Sequence, residues 1–496
     1  MFCVSLPAKL YFMDKKSSIK APSALVSFIP LATLVIFLAL TIKLFGGDAI
    51  AGGSQLSLLA ASAVCTAIAI GIYRRSWSEL EDAIVANIKS ATPAMIILLM
   101  IGMIAGTWMA SGIIPSLIYY GLKILHPSIF LPASCVICAI VSLLTGSSWT
   151  TIATIGVALM GIGRAQGFDD GWIAGAIISG AYFGDKISIM SDTTVLASST
   201  AEVPLFTHIK YMLITTTPSI VIAVVVFAIA GLTATTAATV NTAEIEYALQ
   251  NSFNISPWLL IVPILTGVLI SKKLPAIITL FASATMAAIA MIIAQPEIIP
   301  QIAGEGLSPA MAAIKAVIIS STTDCSIATG NTLLDDLVAT SGMGGMMDTI
   351  WLITCAMCFG GVMYGSGMLT AISQIFLRIA RRTVSVVGSS VSSGVFFNLC
   401  TGDQYISIIL TCNLFRQLYD DRGLERRLLS RSVEDSATVT SVLIPWNSCG
   451  MAQSTVLGVA TLTYLPYCIF NILSPIMSVV VAAIGYKIFK SSENEK

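Results

Sequence analysis

This 496-residue sequence contains little charge. Lys, Arg, Asp and Glu together make up 10% of it, whereas an average soluble domain has about 25%. Positive and negative residues balance to a net charge of zero, and there are only two histidines. A neutral chain has no long-range field to attract nucleic acid. The scarcity of charge also argues against an ordinary soluble globular protein.

Long hydrophobic runs take the place of charge. Hydrophobic residues make up 56% of the chain, and charge-free runs of membrane-spanning length, about 20 residues, recur throughout. These runs are Ala21–Ile42, Ala49–Tyr73, Ser90–Leu122, Ile124–Gly163, Tyr211–Ala243, Leu274–Pro296, Thr349–Leu377 and Ser436–Tyr486. A transmembrane β-barrel would show short alternating segments instead. The sequence therefore predicts an all-α polytopic membrane protein with about 11–13 membrane segments.

Lysine and arginine are placed unevenly around these runs. Lys9, Lys15, Lys16 and Lys20 precede the first run, which is long enough for a retained span rather than a signal peptide. Arg74 and Arg75 follow the second run, whereas Thr233–Asn254 contains no basic residue. Because basic loops stay cytoplasmic, we expect both termini in the cytoplasm of a cell whose inner membrane holds the protein.

Eleven cysteines are scattered along the chain. Cys135 and Cys138, and again Cys355 and Cys358, have C-x-x-C spacing, but no further ligand cluster accompanies them. Small buried hydrophobic residues are the better interpretation. No cofactor is expected.

Polar motifs of the first half return in the second half. Four pairs match in the same order at offsets of 250–256 residues: 78–83 with 332–337, 105–114 with 360–369, 143–152 with 399–408, and 183–194 with 433–444. The last pair places Asp185 on Asp435. Since the basic flanks of the two halves are opposed, we expect inverted-topology repeats, an architecture of many secondary transporters.

This repeat divides the chain into five predicted parts. They are a cytoplasmic tail at 1–20, a first membrane repeat at 21–235, an extracytoplasmic linker at 236–254, a second membrane repeat at 255–490 and a cytoplasmic tail at 491–496.

Glycine and hydroxyl groups interrupt the apolar runs at four places. TGSSWTT (145–151) and TGDQY (401–405) predict turns of re-entrant hairpins, and SIMSDTT (188–194) and SATVTSVLIPWNSCG (436–450) predict interrupted helices. Irregular backbone survives at membrane depth only where protein or water surrounds it. Its free carbonyls and hydroxyls suit a hard cation such as Na⁺.

Isolated carboxylates accompany these interruptions. Between Asp170 and Glu202 the only charged residues are Asp185, Lys186 and Asp192. Ionisable groups at membrane depth are costly and usually line an ion path or pair with another charge. A carboxylate that accepts either H⁺ or Na⁺ provides the simplest antiport site. The predicted ion-binding set is Asp185, Asp192, Asp403, Asp435, Ser147, Ser148, Thr150, Ser191, Thr193, Gln404, Thr438 and Asn447.

Other charged and titratable residues have weaker claims. Lys186 and Glu434 are candidate charge partners, although Glu434 also fits the end of a basic amphipathic surface helix. His126 and His208 are expected at the membrane interface. The pairs Glu81-Asp82 and Asp335-Asp336 read as solvated faces.

Several of these motifs resemble one family. FGDKISIMSDTT, STTDCSIATGNTLLDDL, TGDQYISIIL and LERRLLSRSVEDSATVTSVLIPWNSCG are similar to the NhaC family of Na⁺/H⁺ antiporters. The resemblance implies the ion-transporter superfamily, with two inverted repeats, re-entrant hairpins and a cation site between them. It also implies that the aspartates of GDK, SDTT, TGDQ and EDS act at Asp185, Asp192, Asp403 and Asp435. Ile189 and Val442 stand where the family pattern carries proline.

The predicted function is exchange of Na⁺ for H⁺ by alternating access. The alternative is a Na⁺/H⁺-coupled organic anion exchanger of the malate/lactate type, which shares the fold. An intramembrane hydrolase is disfavoured because no H-E-x-x-H motif is present. A channel is disfavoured because nothing suggests a ring of filter residues. The stoichiometry, acceptance of Li⁺ or K⁺, the working pH range and a homodimer are left open.

Overall fold

A computed structural model describes residues 22–45, 52–233, 242–272, 274–331, 334–335 and 338–489. These residues are almost entirely helical, with one isolated antiparallel bridge between Cys325 and Thr340. The predicted tails at 1–20 and 491–496 lie outside the described residues, as do Lys273 and Asp336.

The first half contains nine helices. They are α1 (Ile29–Phe45, after the single turn Ala24–Ser27), α2 (Gly53–Gly71), α3 (Trp77–Ala110), α4 (Ile113–Ile124), α5 (Pro127–Thr145), α6 (Ser148–Thr151, the π-helical Ile152–Gly156 and Val157–Ala165), α7 (Asp170–Ile187), α8 (Asp192–Thr200) and α9 (Leu205–Thr233).

Twelve helices follow. They are α10 (Thr242–Ser252), α11 (Ile261–Ser271, after the 3₁₀ turn Pro257–Leu260), α12 (Ala276–Ala294), α13 (Ile298–Ala303), α14 (Pro309–Thr322), α15 (Met347–Gly365), α16 (Met368–Ile379), α17 (Thr383–Thr401), α18 (Gln404–Asp421), α19 (Arg426–Val433 and the π-helical Glu434–Thr438), α20 (Ser448–Leu457) and α21 (Ile469–Ile484). A 3₁₀ turn, Ser441–Leu443, follows α19, and the short helices Thr461–Tyr464 and Leu465–Tyr467 precede α21.

Eight of the described helices are long and apolar enough to cross a membrane, or up to ten if two bent helix pairs each count as one span. Large apolar side chains lie exposed on the outside, for example Trp258 at 78% and Ile293 at 76%. Contiguous exposed apolar surface on this scale fits contact with lipid. The count is below the predicted 11–13 segments because α4, α14 and α16 are apolar but shorter.

Helices of the two halves have matching lengths at a nearly constant offset. α4 and α16 each have 12 residues, and α5 and α17 each have 19. Gly146 ends α5 and Gly402 ends α17, both with φ of 68°, a left-handed conformation in which glycine is the favoured residue. The two glycines are 256 residues apart. From α5 onward the helix boundaries keep this offset.

The predicted interruptions occur where the sequence placed them. α7 ends at Ile187 and α8 begins at Asp192, and α20 begins at Ser448 after an extended stretch that starts at Ile444. The N-caps of α8 and α20, Ser191 and Asn447, are again 256 residues apart. The predicted linker at 236–254 is helical where it is described, as α10.

Glycine sets the depth of α7 against α5. A Cβ atom on Gly180 would lie 2.0 Å from the carbonyl oxygen of Cys135, and one on Gly184 would lie 2.2 Å from that of Ala139. Small residues let membrane helices approach this closely. The close packing holds the end of α7, with Asp185 and Lys186, beside the Gly146 turn.

Candidate functional site

The helix breaks lie against one another in pairs. In the first half, Ser188 Oγ in the α7–α8 break donates to the Leu143 carbonyl oxygen at the end of α5, at 2.8 Å. In the second half, the backbone N–H of Ser448 donates to the Gly402 carbonyl oxygen, also at 2.8 Å. Each half therefore brings two ends of broken helices together.

Asp185 lies at the first pair of breaks. Its side chain is buried, and its Oδ2 accepts hydrogen bonds from the backbone N–H of Ser148 at 3.1 Å and from Ser148 Oγ at 2.7 Å. Ser148 is the first residue of α6, where backbone N–H groups lack helical partners and favour an anion. Ser147 caps the same helix by accepting from the backbone N–H of Thr150.

The second pair of breaks repeats this arrangement with different chemistry. Asp403 is buried and caps α18 by accepting from the backbone N–H of Ile406 at 3.0 Å. Ser441 Oγ donates to Gln404 Oε1 at 3.3 Å. By the 256-residue offset, Asp403 matches Ser147, and the Ser441–Gln404 contact matches Asp185–Ser148. Each half thus carries one buried aspartate, at a different corner of the same motif.

A fully buried ion pair joins the two halves. Lys186 Nζ at the end of α7 donates to Asp435 Oδ1 in the π-helical part of α19. Thr215 Oγ1 of α9 and Ser474 Oγ of α21 donate to the same oxygen at 3.1 and 3.2 Å. Lys186 Nζ also donates to Ser474 Oγ at 2.8 Å. Lys186 is therefore the counter-ion of Asp435.

A second buried cation, Arg431, was not predicted as a site residue. Its guanidinium is 0% exposed, and its three nitrogens have no hydrogen-bond partner among the described residues. Its Nε lies 3.9 Å from Asp435 Oδ2, and its Cζ lies 4.6 Å from the centre of the Tyr211 ring. A four-residue spacing from Arg431 to Asp435 on one helix was the available signal.

Glu434 is buried, in contrast to the surface-helix interpretation. It is 0% exposed, and both carboxylate oxygens lack a hydrogen-bond partner within the described part of the chain. The segment Leu428–Val433 before it is buried as well. The surface prediction was wrong because α19 packs against α9, α17, α18 and α21 instead of lying at the surface.

The remaining predicted residues are spread around these groups. Asp192 is exposed at the start of α8, while Ser191 and Thr193 are buried and their hydroxyls lie 3.0 Å apart. Thr438 is buried, and Asn447 caps α20 by accepting from the backbone N–H of Cys449. In the described ranges, no three His, Cys, Asp or Glu side chains converge as ligands of one metal ion. The four predicted aspartates therefore do not form a single cluster.

Three further expectations are settled. His208 was expected at the interface, but it is fully buried and its Nδ1 lies 2.8 Å from Ser430 Oγ. The match of Asp185 with Asp435 was wrong, because the helix boundaries pair Asp185 with Ser441 and Asp435 with Ser179. The ten cysteines in the described residues are free, and all but Cys358 are buried, as predicted.

Apolar spans around an interior of buried charges define the class of multi-pass helical membrane proteins. Within this class, the sequence model described as "Na+/H+ antiporter family" matches residues 180–486, more than half of the chain. The chain belongs to the Na⁺/H⁺ antiporter family, as the NhaC-like motifs predicted.

Named relatives cover most of the chain. The Na⁺/H⁺ antiporter NhaC of Bacillus subtilis is 35% identical over 407 residues, 82% of this chain and 87% of that protein. A malate-2H⁺/Na⁺-lactate antiporter of the same organism is 34% identical over 84% of this chain and 87% of that protein. The arginine/ornithine antiporter ArcD of Halobacterium salinarum is 35% identical over 96% of this chain and 95% of that protein. All three are named as antiporters, which supports transport rather than enzymatic hydrolysis.

Proposed function

We propose that this chain exchanges Na⁺ for H⁺ across the cytoplasmic membrane, with both ions competing for buried carboxylates. The observation that carries the proposal is Asp185, which is buried at a helix break and receives hydrogen bonds from Ser148 rather than from a cation. Neutralising such a carboxylate requires an added cation. H⁺ and Na⁺ carry the same charge, and one carboxylate oxygen cannot hold both.

Asp185 and Asp403 are the foremost members of the exchange site, since each lies at the corresponding pair of helix breaks in its half. Hydroxyl and carbonyl oxygens surround both aspartates and suit a hard cation. Asp435 has a different position in the mechanism because Lys186 already neutralises it. Asp192, at the exposed start of α8, fits an entry position better than a closed site.

The two halves supply the elements for alternating access. Matching broken helices, an ion pair across the halves and opposed basic flanks all support inverted repeats around a shared site. One half rocking against the other would expose this site to each side of the membrane in turn. In this arrangement both termini are cytoplasmic.

The test is Na⁺ binding to purified protein as a function of pH, for wild type and for Asp→Asn variants at 185, 192, 403 and 435. In the wild type, Na⁺ affinity should fall as pH falls, by up to about tenfold per pH unit for each competing proton. Asp185→Asn and Asp403→Asn should reduce this competition and slow Na⁺-driven H⁺ movement in proteoliposomes. If all four variants keep wild-type pH-dependent binding, the proposed mechanism is wrong.

Coupled exchange of an organic anion is the second candidate. It is favoured by the malate-2H⁺/Na⁺-lactate relative and by two buried cations, Lys186 and Arg431, of the sign that a carboxylate cargo requires. Counter-flow of labelled malate, lactate, arginine and ornithine in proteoliposomes separates the two candidates. Counter-flow of none of them, with Na⁺/H⁺ exchange intact, leaves simple antiport.

A further inference from the structure

Glu434 differs from every other buried carboxylate in the described structure. Asp185 accepts from Ser148, Asp403 accepts from the start of α18, and Asp435 accepts from Lys186. Both oxygens of Glu434 lack a hydrogen-bond donor in the same set of residues, although none of its surface is exposed. A buried charge without a partner is strongly destabilising, so something must compensate this carboxylate.

The two buried cations are engaged elsewhere. Lys186 donates to Asp435 and to Ser474. Arg431 lies against the Tyr211 ring and has its nearest carboxylate contact, at 3.9 Å, with Asp435. No described ion pair joins either cation to Glu434. The compensating charge therefore has to come from outside the chain.

Oxygen atoms surround the Glu434 carboxylate. Thr438 Oγ1, one turn further along the same helix, is also buried without a hydrogen-bond partner in the described residues. The Thr193 hydroxyl of α8 faces Glu434 from the first half. Glu434 opens the π-helical turn Glu434–Thr438, a kind of helix irregularity that occurs frequently at functional sites.

Charge balance sets the valence of the missing ion. Five charged side chains meet here: Lys186, Arg431, Asp185, Glu434 and Asp435. Three of them are anionic and two cationic, which leaves one net negative charge. One monovalent cation neutralises the group, whereas a divalent cation or an added anion would leave it charged.

We propose that Glu434 is a direct ligand of the transported Na⁺, together with the hydroxyls of Thr438 and Thr193. The proposal rests on Na⁺ being a substrate of this protein, as proposed above. It places a Na⁺ ligand in α19 next to the Lys186–Asp435 pair, and it takes one ligand from each half. Asp435 then holds Lys186 in place rather than binding the ion.

The experiment is binding of radioactive Na⁺ to purified protein in detergent at one alkaline pH. Glu434→Gln, which keeps the size and removes the charge, should weaken Na⁺ binding by at least about tenfold, the equivalent of 1.4 kcal/mol. Thr438→Val should weaken it several-fold. The control is Glu202→Gln, which removes an exposed carboxylate and should leave Na⁺ affinity unchanged.

The outcomes separate the two proposals. Saturable wild-type binding with unchanged affinity in folded Glu434→Gln overturns the Glu434 assignment and leaves the proposed function standing. Absence of saturable Na⁺ binding in the wild type overturns both. If Glu434→Gln does not give a monodisperse protein, Glu434→Asp decides, because it keeps the charge and withdraws it by one methylene. Reduced affinity in that variant supports direct ligation, and wild-type affinity contradicts it.

Discussion

Lys186 and Asp435 are both fully buried and lie in different halves of the chain. Removing one partner of such a pair leaves an uncompensated interior charge, which is more costly than the net contribution of the pair itself. Lys186→Met should therefore lower the free energy of unfolding in detergent by about 3–5 kcal/mol. Adding Asp435→Asn should recover most of this loss, because no unpaired charge then remains.

Lys210→Met is the matched control for this prediction. Lys210 is exposed on α9, so its loss should change stability by less than about 0.5 kcal/mol. Thermal or denaturant unfolding, followed by tryptophan fluorescence, checks all three variants. Equal losses for Lys186→Met and for the double variant would contradict a charge-pair role.

Asp185 and Asp403 could be predicted at the residue scale because each is an isolated charge in an apolar run beside a glycine and hydroxyls. The Lys186–Asp435 pair could not, since its members are 249 residues apart and only packing brings them together. Glu434 and Arg431 were missed for a related reason. Their segment, LERRLLSRSVEDS, has the amphipathic pattern of a surface helix, and its polar face turns out to be covered by other helices.

At the scale of elements, two exposed ion pairs occupy corresponding places with their charges exchanged. In the first half, Arg164 pairs with Asp170 at 2.8 Å and donates to the Gly458 carbonyl oxygen of the second half at 3.4 Å. In the second half, Arg426 pairs with Asp420 at 2.8 Å and also with Glu202 of the first half. Both members of the pair, and residue 458 with 202, are 256 residues apart.

These two contacts should respond differently to salt, because one crosses the halves to a carboxylate and the other to a carbonyl. Glu202→Gln should lower stability by less than about 1 kcal/mol at low ionic strength, and screening should remove the difference at high ionic strength. Unfolding measured against choline chloride tests this without adding the substrate ion. A difference from wild type that persists at high salt would contradict an electrostatic contact.

The positions of the helix breaks were predictable, because glycine, serine and threonine interrupt apolar runs at all four of them. The exact register of the repeat was not. Similar letters at 183–194 and 433–444 gave an offset of 250, whereas the helix boundaries on either side give 256. Capping glycines such as Gly146 and Gly402 are better markers, since their backbone conformation tolerates few other residues.

At the scale of the whole molecule, inverted repeats make a prediction about sidedness. Single cysteines at Thr242 and Lys272 flank α11 and should be labelled from opposite sides of the membrane by an impermeant maleimide. The described native cysteines are buried except Cys358, which is half-buried, so background labelling should be low. Labelling of both positions from one side would contradict the inverted topology.

The class of fold was predictable from composition alone, since little charge and long apolar runs leave a helical membrane protein as the main solution. The number of spans was less predictable. A charge-free run of 40 or 50 residues does not show where one helix ends and another begins, and short apolar helices such as α4 and α16 do not meet the length of a span.

The ion pair between the halves has a consequence for biosynthesis. Lys186 is translated 249 residues before Asp435, so the first half enters the membrane while its central cation has no counter-ion. A charged residue at the centre of a spanning helix costs about 2.5–3.5 kcal/mol on insertion scales. The insertion machinery or a chaperone must therefore hold this half until the second half arrives. A chain that stops at Thr233 should be degraded, and a separate chain covering 242–496 should rescue it in the same cell.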